Sequence, residues 1–371
     1  MDRRTLLLAA AAAPLLAPRV AWAGQRRAGK SARLEAAVDA AFVPVAENIR
    51  GGGVPGAVLG VADRSGARAI RFLGDAAVEP ARSAMRADTW FDLASLTKVI
   101  FTTTKILQLA DAGRIDLDAP LTTAIPDLRQ YDVANAPERK LTFRQCLTHQ
   151  SFLPAVEPVY TVDGDPERLK AYILQRAWKA GPPVYSDLNF ILLGIAIERL
   201  TGMPLNRQPL APGFAFAPPP ERTAATEYCQ WRKRIMRGQV HDENAYALGG
   251  MAGHAGLFGT ADGLLGFATG LLDGSGLSAK GLAAIRTPAV PGRAVGWQVR
   301  APGWAGGQAC SAATIGHTGF TGTGLWVDFD RGLAWTLLTN RVHTSRHRDT
   351  GIGPLRQAVG DAAVAAFDRG A

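Results

Sequence analysis

Cysteine is scarce in this chain of 371 residues, with Cys146, Cys229 and Cys310 widely separated and odd in number. That excludes a dense disulfide framework and a CxxC metal knuckle. One disulfide with one thiol left over is permitted, and three buried free thiols are the expectation. Beyond the N-terminal segment no apolar run is long enough to span a bilayer. The glycine-rich stretch Gly249-Gly-Met-Ala-Gly-His-Ala-Gly256 lacks the Gly-Lys-Ser/Thr ending of a phosphate loop and reads as tight turns. No recognition motif with interleaved aromatics accompanies the basic residues, so a nucleic-acid partner is not expected. The densest basic cluster, Arg232-Lys233-Arg234 with Arg237, reads as a solvated face. Internal repeats are absent as well.

What is present suits a globular enzyme-sized protein. At 47% apolar residues the chain can bury one large core or two smaller ones. Residues 1–23 stand apart: Asp2-Arg3-Arg4 precede an apolar run from Leu6 to Ala17, and Ala21-Trp22-Ala23 supplies a small-x-small cleavage pattern. This segment reads as an export signal, with the adjacent arginines suggesting the twin-arginine route. The expectation is a periplasmic or otherwise exported protein with no stable membrane span after cleavage. Removing Asp2, Arg3, Arg4 and Arg19 takes Lys+Arg from 41 to 38 and Asp+Glu from 32 to 31, so the net charge falls from +9 to about +7. Such a balance suits anionic surroundings.

From the N-terminal side, Leu34, Ala37, Val38, Ala41, Phe42 and Val45 fall at helical spacing and predict an amphipathic helix over 32–49. Two β-prone runs, 56–62 and 69–73, flank the turn Asp63-Arg-Ser-Gly66 as a hairpin would. Beyond residue 95 the pattern becomes mainly helical, with segments at 115–120, 142–148, 166–180 and 188–200. The proline-rich stretch 202–221 reads as an irregular connector rather than packed structure. Thr260-Ala-Asp262 caps a further helix running through Leu272. Strands return at 324–329 and 333–339, followed by a helix over 353–367. The architecture implied is α+β: an antiparallel sheet flanked by helices, built from both chain ends (about 32–90 and 290–371), with an inserted mainly helical subdomain (about 95–285).

The chemistry gathers on Phe91-Asp-Leu-Ala-Ser-Leu-Thr-Lys98. Ser95 and Lys98 open a run of good helix formers that Gly113 is placed to end, and at that spacing both side chains share one helical face. A serine hydroxyl is a weak nucleophile at neutral pH; a lysine kept neutral by burial or by neighbouring cations can take its proton. The bland alternative, a capping serine and a solvated lysine, holds for most Ser-x-x-Lys tetrads. Two later features tip the balance. Tyr185-Ser186-Asp187 sits in a turn before the 188–200 helix, where a tyrosine can assist proton transfer. His317-Thr318-Gly319 enters a strand pair whose small residues leave room for a substrate to lie against its edge.

In this order and setting, these motifs, together with Leu147-Thr-His149, Tyr185-Ser-Asp-Leu-Asn-Phe-Ile-Leu-Leu-Gly194 and Gly316-His-Thr-Gly-Phe-Thr-Gly322, resemble the serine β-lactamase and penicillin-binding protein family, especially its class C-like branch of carboxypeptidases, esterases and amidases. The resemblance covers nearly all of residues 32–371 and implies the β-lactamase/transpeptidase-like fold. It implies Ser95 as the acylated nucleophile, Lys98 and Tyr185 as its proton-transfer network, and the backbone N–H groups of Ser95 and Phe320 as an oxyanion hole. His317 takes the place of the family's lysine in the third motif, and with Asp187, Thr318 and Gly319 it would face the substrate.

Two departures bear on substrate. His317 can be neutral near pH 7, which weakens the fixed positive charge that receives a β-lactam carboxylate. Asp187 replaces the usual asparagine and, as an acceptor-only carboxylate, would repel such a group. Phe152, where many relatives have glycine, and the proline-rich connector also suggest an altered pocket. The expectation is a cofactor-free exported serine hydrolase acting on an ester or amide, a peptidoglycan fragment or small ester. A β-lactamase proper and a non-catalytic wall-binding or sensor protein are the alternatives. His241, Asp242, Glu243 and His254 offer zinc-ligand chemistry, but without the i, i+4 spacing of a hydrolase site; no metal is expected. His149 reads as a structural, hydrogen-bonded residue.

Overall fold

A computed structural model describes residues 31–370; the expected export signal lies outside the described residues. The first helix, α1 (Ala32–Arg50), follows the predicted stripe, burying Leu34, Ala37, Val38, Ala41 and Val45, while Phe42 is only partly covered. Strands β1 (Gly56–Asp63) and β2 (Arg68–Ala77) form the expected hairpin, with Ala57 opposite Leu73. A two-residue strand β3 (Ser83–Ala84) edges β2. The chain returns to this sheet only near its end, with β4 (Gln298–Val299), β5 (Thr314–Thr318), β6 (Thr323–Asp328) and β7 (Leu333–Thr339). The spatial order is β3-β2-β1-β7-β6-β5-β4, and the pairs are antiparallel.

Period-two alternation decides what each face of the sheet buries. Ala57, Leu59 and Val61 of β1 pack with Trp326, Trp335 and Leu337 under α1 and the C-terminal helix α9 (Ile352–Arg369). Trp326 and Trp335 are direct cross-strand partners, their rings stacked with centroids 5.9 Å apart. The intervening residues, Val58, Leu325, Val327 and Leu338, face the opposite side and join the larger core of the helical subdomain. There α7 (Ala261–Asp273), capped by Thr260 as expected, lies close over β1 because Gly60 has no side chain: a Cβ there would stand 2.8 Å from Leu265.

Between the two halves of the sheet run α2 (Thr104–Asp111), α3 (Phe143–Leu147), α4 (Pro166–Gln175), α5 (Asp187–Thr201), α6 (Glu243–Ala247), α7 and α8 (Ala279–Arg286). Three expectations need correction. Residues 115–120 are not helical: Asp116 accepts from the Asp118 N–H (3.0 Å) in a turn that buries Leu117. Helix α4 ends at Gln175 rather than 180, because the chain extends at Arg176 and the Trp178 N–H donates to buried Glu138 (2.9 Å). The proline-rich segment is irregular but packed, for Leu205 and Gln208 are buried and Phe214–Ala215 pair with Phe258–Gly259.

Candidate active site

Ser95 stands at a sharp entry into the helical subdomain. Asp92, almost fully buried, accepts the Ala94 N–H (2.8 Å) and the His241 N–H (2.6 Å), and Ala94 is held at φ 46°, an uncommon conformation for a residue with a side chain. The helix that follows opens with a π-helical turn over Lys98–Thr103 before settling into α2, so the expected regular helix is widened just after Ser95.

Lys98 is wholly buried and has a full set of partners. Its ammonium donates to Ser95 Oγ (2.9 Å) and the His254 carbonyl (3.1 Å), and pairs with Asp187 Oδ1 (2.8 Å). The Tyr185 hydroxyl hydrogen-bonds to it, with the Tyr185 ring centroid 5.0 Å away. Burial alone would strip the charge from this lysine; the Asp187 carboxylate, and Tyr185 beside it, outweigh burial and hold the ammonium above the ordinary lysine value. This overturns the neutral-lysine expectation. It also corrects the placement of Asp187, whose carboxylate is turned onto Lys98 and neutralised by it rather than left free to repel a substrate anion.

The turn carrying Tyr185 is fixed by His149. The Ser186 N–H donates to His149 Nδ1 (3.0 Å), and the imidazole lies 4.4 Å from the Tyr185 ring and 5.2 Å from Phe190. Burial, with the cations of Arg293 and Lys98 nearby, pushes His149 down to about 2, so it is a neutral acceptor. His317 is equally dry. Its Nδ1 donates to the Thr318 carbonyl (2.9 Å), its Nε2 is buried without a partner among the described residues, and burial followed by the Lys98 charge lowers it to about 3. The third-motif histidine is therefore uncharged at neutral pH.

The turn after β5 reaches back over Ser95. Thr321 Oγ1 donates to the Asp92 carbonyl (2.7 Å) and Thr323 Oγ1 to that of Leu93 (3.1 Å). Gly319 is obligatory here, since a Cβ would stand 2.4 Å from the Leu93 carbonyl. Buried Arg356 donates to the carbonyls of Gly319 (2.9 Å) and Thr323 (2.8 Å), and Arg341 to that of Phe320 (2.8 Å). Every one of these bonds occupies a carbonyl. The N–H groups of Ser95 and Phe320 donate to no group among the described residues, as an oxyanion hole requires.

The four polar residues singled out at 241–254 take separate partners. His241 faces Glu227 (3.2 Å), Glu243 pairs with Arg346, and Asp242 meets His254 Nε2 (2.9 Å). Asp187, Asp242 and His254 bring ligand-capable atoms within 4.8 Å of one another, with the Lys98 ammonium already on Asp187. Sequence reasoning missed Asp92, Arg293 and Arg356. Asp92 lies within the Ser95 stretch but matters through its bond to the distant His241 N–H, while Arg293 and Arg356 belong to no motif and act through Tyr185 and through the carbonyls of Gly319 and Thr323. The cysteines are as expected, three buried free thiols.

The fold is of the β-lactamase/transpeptidase type, a sheet with α1 and α9 on one face and a helical insertion on the other. The chain belongs to the beta-lactamase family, whose description matches residues 36–358. It is 30% identical over 311 residues to a putative D-alanyl-D-alanine carboxypeptidase of Salmonella agona (strain SL483), covering 69% of this chain and 70% of that one. It is 29% identical over 316 residues to an N-acetylmuramyl-L-alanine amidase of Bacillus subtilis (strain 168), covering 70% of each. Among solved structures it is similar to EstCE1, a hydrolase with promiscuous acyltransferase activity, at TM-score 0.69 and 20% identity over 90% of this chain and all of the other.

Proposed function

We propose that the chain is an exported serine hydrolase that opens an ester or amide through an acyl-Ser95 intermediate. The observation that carries this reading is the hydrogen bond of buried Lys98 to Ser95 Oγ, on a lysine that also contacts Asp187 and Tyr185. Because Lys98 is held as an ammonium, it cannot simply accept the serine proton. Attack requires a coupled transfer in which Ser95 Oγ gives its proton to Nζ while Nζ passes another to Asp187 Oδ1. The lysine stays charged, and the serine proton is stored on the carboxylate. Oxygen–carbon bond formation places negative charge on the substrate carbonyl oxygen between the Ser95 and Phe320 N–H groups. Collapse expels the alkoxide or amine, which takes the stored proton back through Lys98. Water then repeats the sequence on the acyl-enzyme.

The substrate class proposed is a cell-wall peptide or muramoyl fragment, or a small ester. The names of the amidase and carboxypeptidase relatives support it, as does the signal-like segment at 1–23. The test is labelling with a fluorophosphonate, with peptide mapping by mass spectrometry and turnover of p-nitrophenyl esters, muropeptides and nitrocefin. The expected result is an adduct on Ser95 and loss of hydrolysis in Ser95→Ala. Hydrolysis that survives Ser95→Ala in the folded protein overturns the mechanism, and efficient nitrocefin turnover replaces the substrate assignment with a β-lactamase.

A further inference from the structure

The proline-rich connector packs along α2 without closing on it. The seam holds a cleft of about 60 Å³ walled by Phe101, Phe214, Leu257 and Phe267, with Lys105 and Gln108 of α2 among its lining residues. Its far wall is tied down at both ends of a short stretch. The Thr260 N–H donates to the Gly213 carbonyl (3.1 Å), and Gly213 lies so near α7 that a Cβ there would stand 2.5 Å from Gly263 Cα. Phe214 then pairs with Gly259. These contacts hold the connector off α2, so the cleft is part of the packed structure.

Lys105 is half-buried in this apolar setting with no carboxylate to meet it. Neither its ammonium nor the Gln108 amide has an ion-pair or hydrogen-bond partner among the described residues. No Asp or Glu lines the cleft, and the helix neighbours Phe101, Thr102, Gln108 and Leu109 include no acid. Burial alone therefore acts on the ammonium and lowers it from the ordinary lysine value. Half-buried Lys170 is treated differently, since Glu167 (2.9 Å) and Glu198 (2.7 Å) both meet it. The uncompensated desolvation at Lys105 is what an incoming anion would relieve. Lys105 and Gln108 stand three apart on α2, so both can donate to one carboxylate. The cleft is separate from the Ser95 site, because none of Ser95, Lys98, Tyr185, Asp187 and His317 lines it. Leu257 is the layer between them: its N–H donates to Thr97 Oγ1 (3.1 Å) and its carbonyl accepts the Leu93 N–H (3.0 Å).

We infer that this cleft is a second binding site, for an apolar monocarboxylate of a few carbons, whose carboxylate meets Lys105 and Gln108 and whose chain lies against Phe101, Phe214 and Phe267. The walls select the chain and the lysine selects the charge. A bare anion would leave the aromatic walls uncovered, and a polyanion would bring more charge than one ammonium can match. The site stands independently of the acyl-serine mechanism.

The test is reductive methylation of the full chain with formaldehyde and dimethylamine–borane, mapped peptide by peptide, in butanoate, butanamide or acetate at equal ionic strength. Saturating butanoate should slow methylation of Lys105 by about five-fold or more, and butanamide should not. Acetate should need about ten-fold higher concentration, because each buried methylene adds up to about four-fold in affinity. Exposed Lys140 is the internal control and should methylate at one rate throughout. Ala211→Trp fills the cleft and should abolish the protection. A second readout does not use the lysine's reactivity: saturation-transfer NMR should show butanoate bound in preference to butanamide, and Lys105→Met, which keeps the apolar stem, should bring the two level. Equal protection by acid and amide overturns the inference. So does protection that survives Ala211→Trp in a protein of unchanged melting temperature, or a preference for the acid that persists in Lys105→Met.

Discussion

Lys98 Nζ lies 2.8 Å from Asp187 Oδ1, and this contact sets the charge of the site. The two residues cancel, so the buried lysine keeps its proton without leaving the helical subdomain with a net charge. An asparagine at 187 would solvate the ammonium but not neutralise it, and burial would then drive Lys98 toward its uncharged form. On the proposed mechanism, one side chain thus decides whether Ser95 is activated by a free amine or by a relayed proton.

Asp187→Asn should therefore change the shape of the pH profile, not only its height. With the carboxylate gone, the acceptor becomes Lys98 itself. Near pH 6 kcat/KM should fall by about 10²-fold, within the range of general-base contributions, and recover in part toward about pH 9 as the lysine discharges. The measurement is kcat/KM for a p-nitrophenyl ester across this range. A parallel drop at every pH would show that Asp187 only holds the lysine in place.

Much of this was legible beforehand for identifiable reasons. The stripe of α1, the β1–β2 hairpin and the Ser95, Lys98 and Tyr185 set follow from local periodicity and motif spacing. The π-helical turn at Lys98–Thr103 was not readable, because widening a helix by one residue leaves the apolar pattern almost intact. Residues 115–120 misled because Ile115 and Leu117 with flanking aspartates look like a helix start, although Asp116 serves a turn. Asp187 was identified but given the wrong partner, since no sequence rule says which of two nearby charges a carboxylate will face. Arg293 was invisible: a single arginine in a Pro-Gly turn has no signature until the fold lays it over Tyr185.

Two of the buried histidines, His149 and His317, should make the fold acid-sensitive. His149 and His317 are lowered to about 2 and about 3, below the ordinary value near 6.5, with burial as the first cause of each. The unfolded chain takes up protons that the folded one refuses. Their contribution is present above about pH 6.5 and is lost as pH falls from there toward about 3. Between about pH 6.5 and 5 each should cost roughly 2 kcal/mol of stability. Urea midpoints at the two pH values should differ accordingly, and the difference should shrink in His149→Gln. Ring resonances of either histidine titrating near 6.5 in the native protein would contradict this.

Thiol reactivity and chelation give a quick check on the rest of the chemistry. Cys146, Cys229 and Cys310 are buried, and burial raises Cys146 far above the reactive range. Native protein should not react with Ellman's reagent within minutes and should titrate three thiols in denaturant. Hydrolysis should survive exhaustive treatment with 1,10-phenanthroline. Activity lost to the chelator and restored by zinc would instead assign the Asp187, Asp242 and His254 cluster to a metal.

Gly253 offers the most local test of how the site is held. The 249–256 segment, first read as turns, passes so close to α5 that a Cβ on Gly253 would stand 1.9 Å from the Phe190 carbonyl and 2.9 Å from the Gly194 N–H. Both obstacles are backbone, so the loop, rather than a side chain, must move. The next residue supplies the carbonyl that receives Lys98, and the Gly253 carbonyl itself receives Thr102 (2.6 Å). Gly253→Ala should accordingly cost about 1–3 kcal/mol, as overpacking does, and also lower kcat by pulling the His254 carbonyl off Lys98. Gly249→Ala, where nothing lies within 4 Å of a Cβ, provides the comparison: it carries only the strain of φ 98° and should lose stability without a matching loss of kcat per folded molecule. Thermal melts and active-site titration with the fluorophosphonate separate the two effects, and equal kcat in both variants would sever the loop from the lysine it is argued to hold.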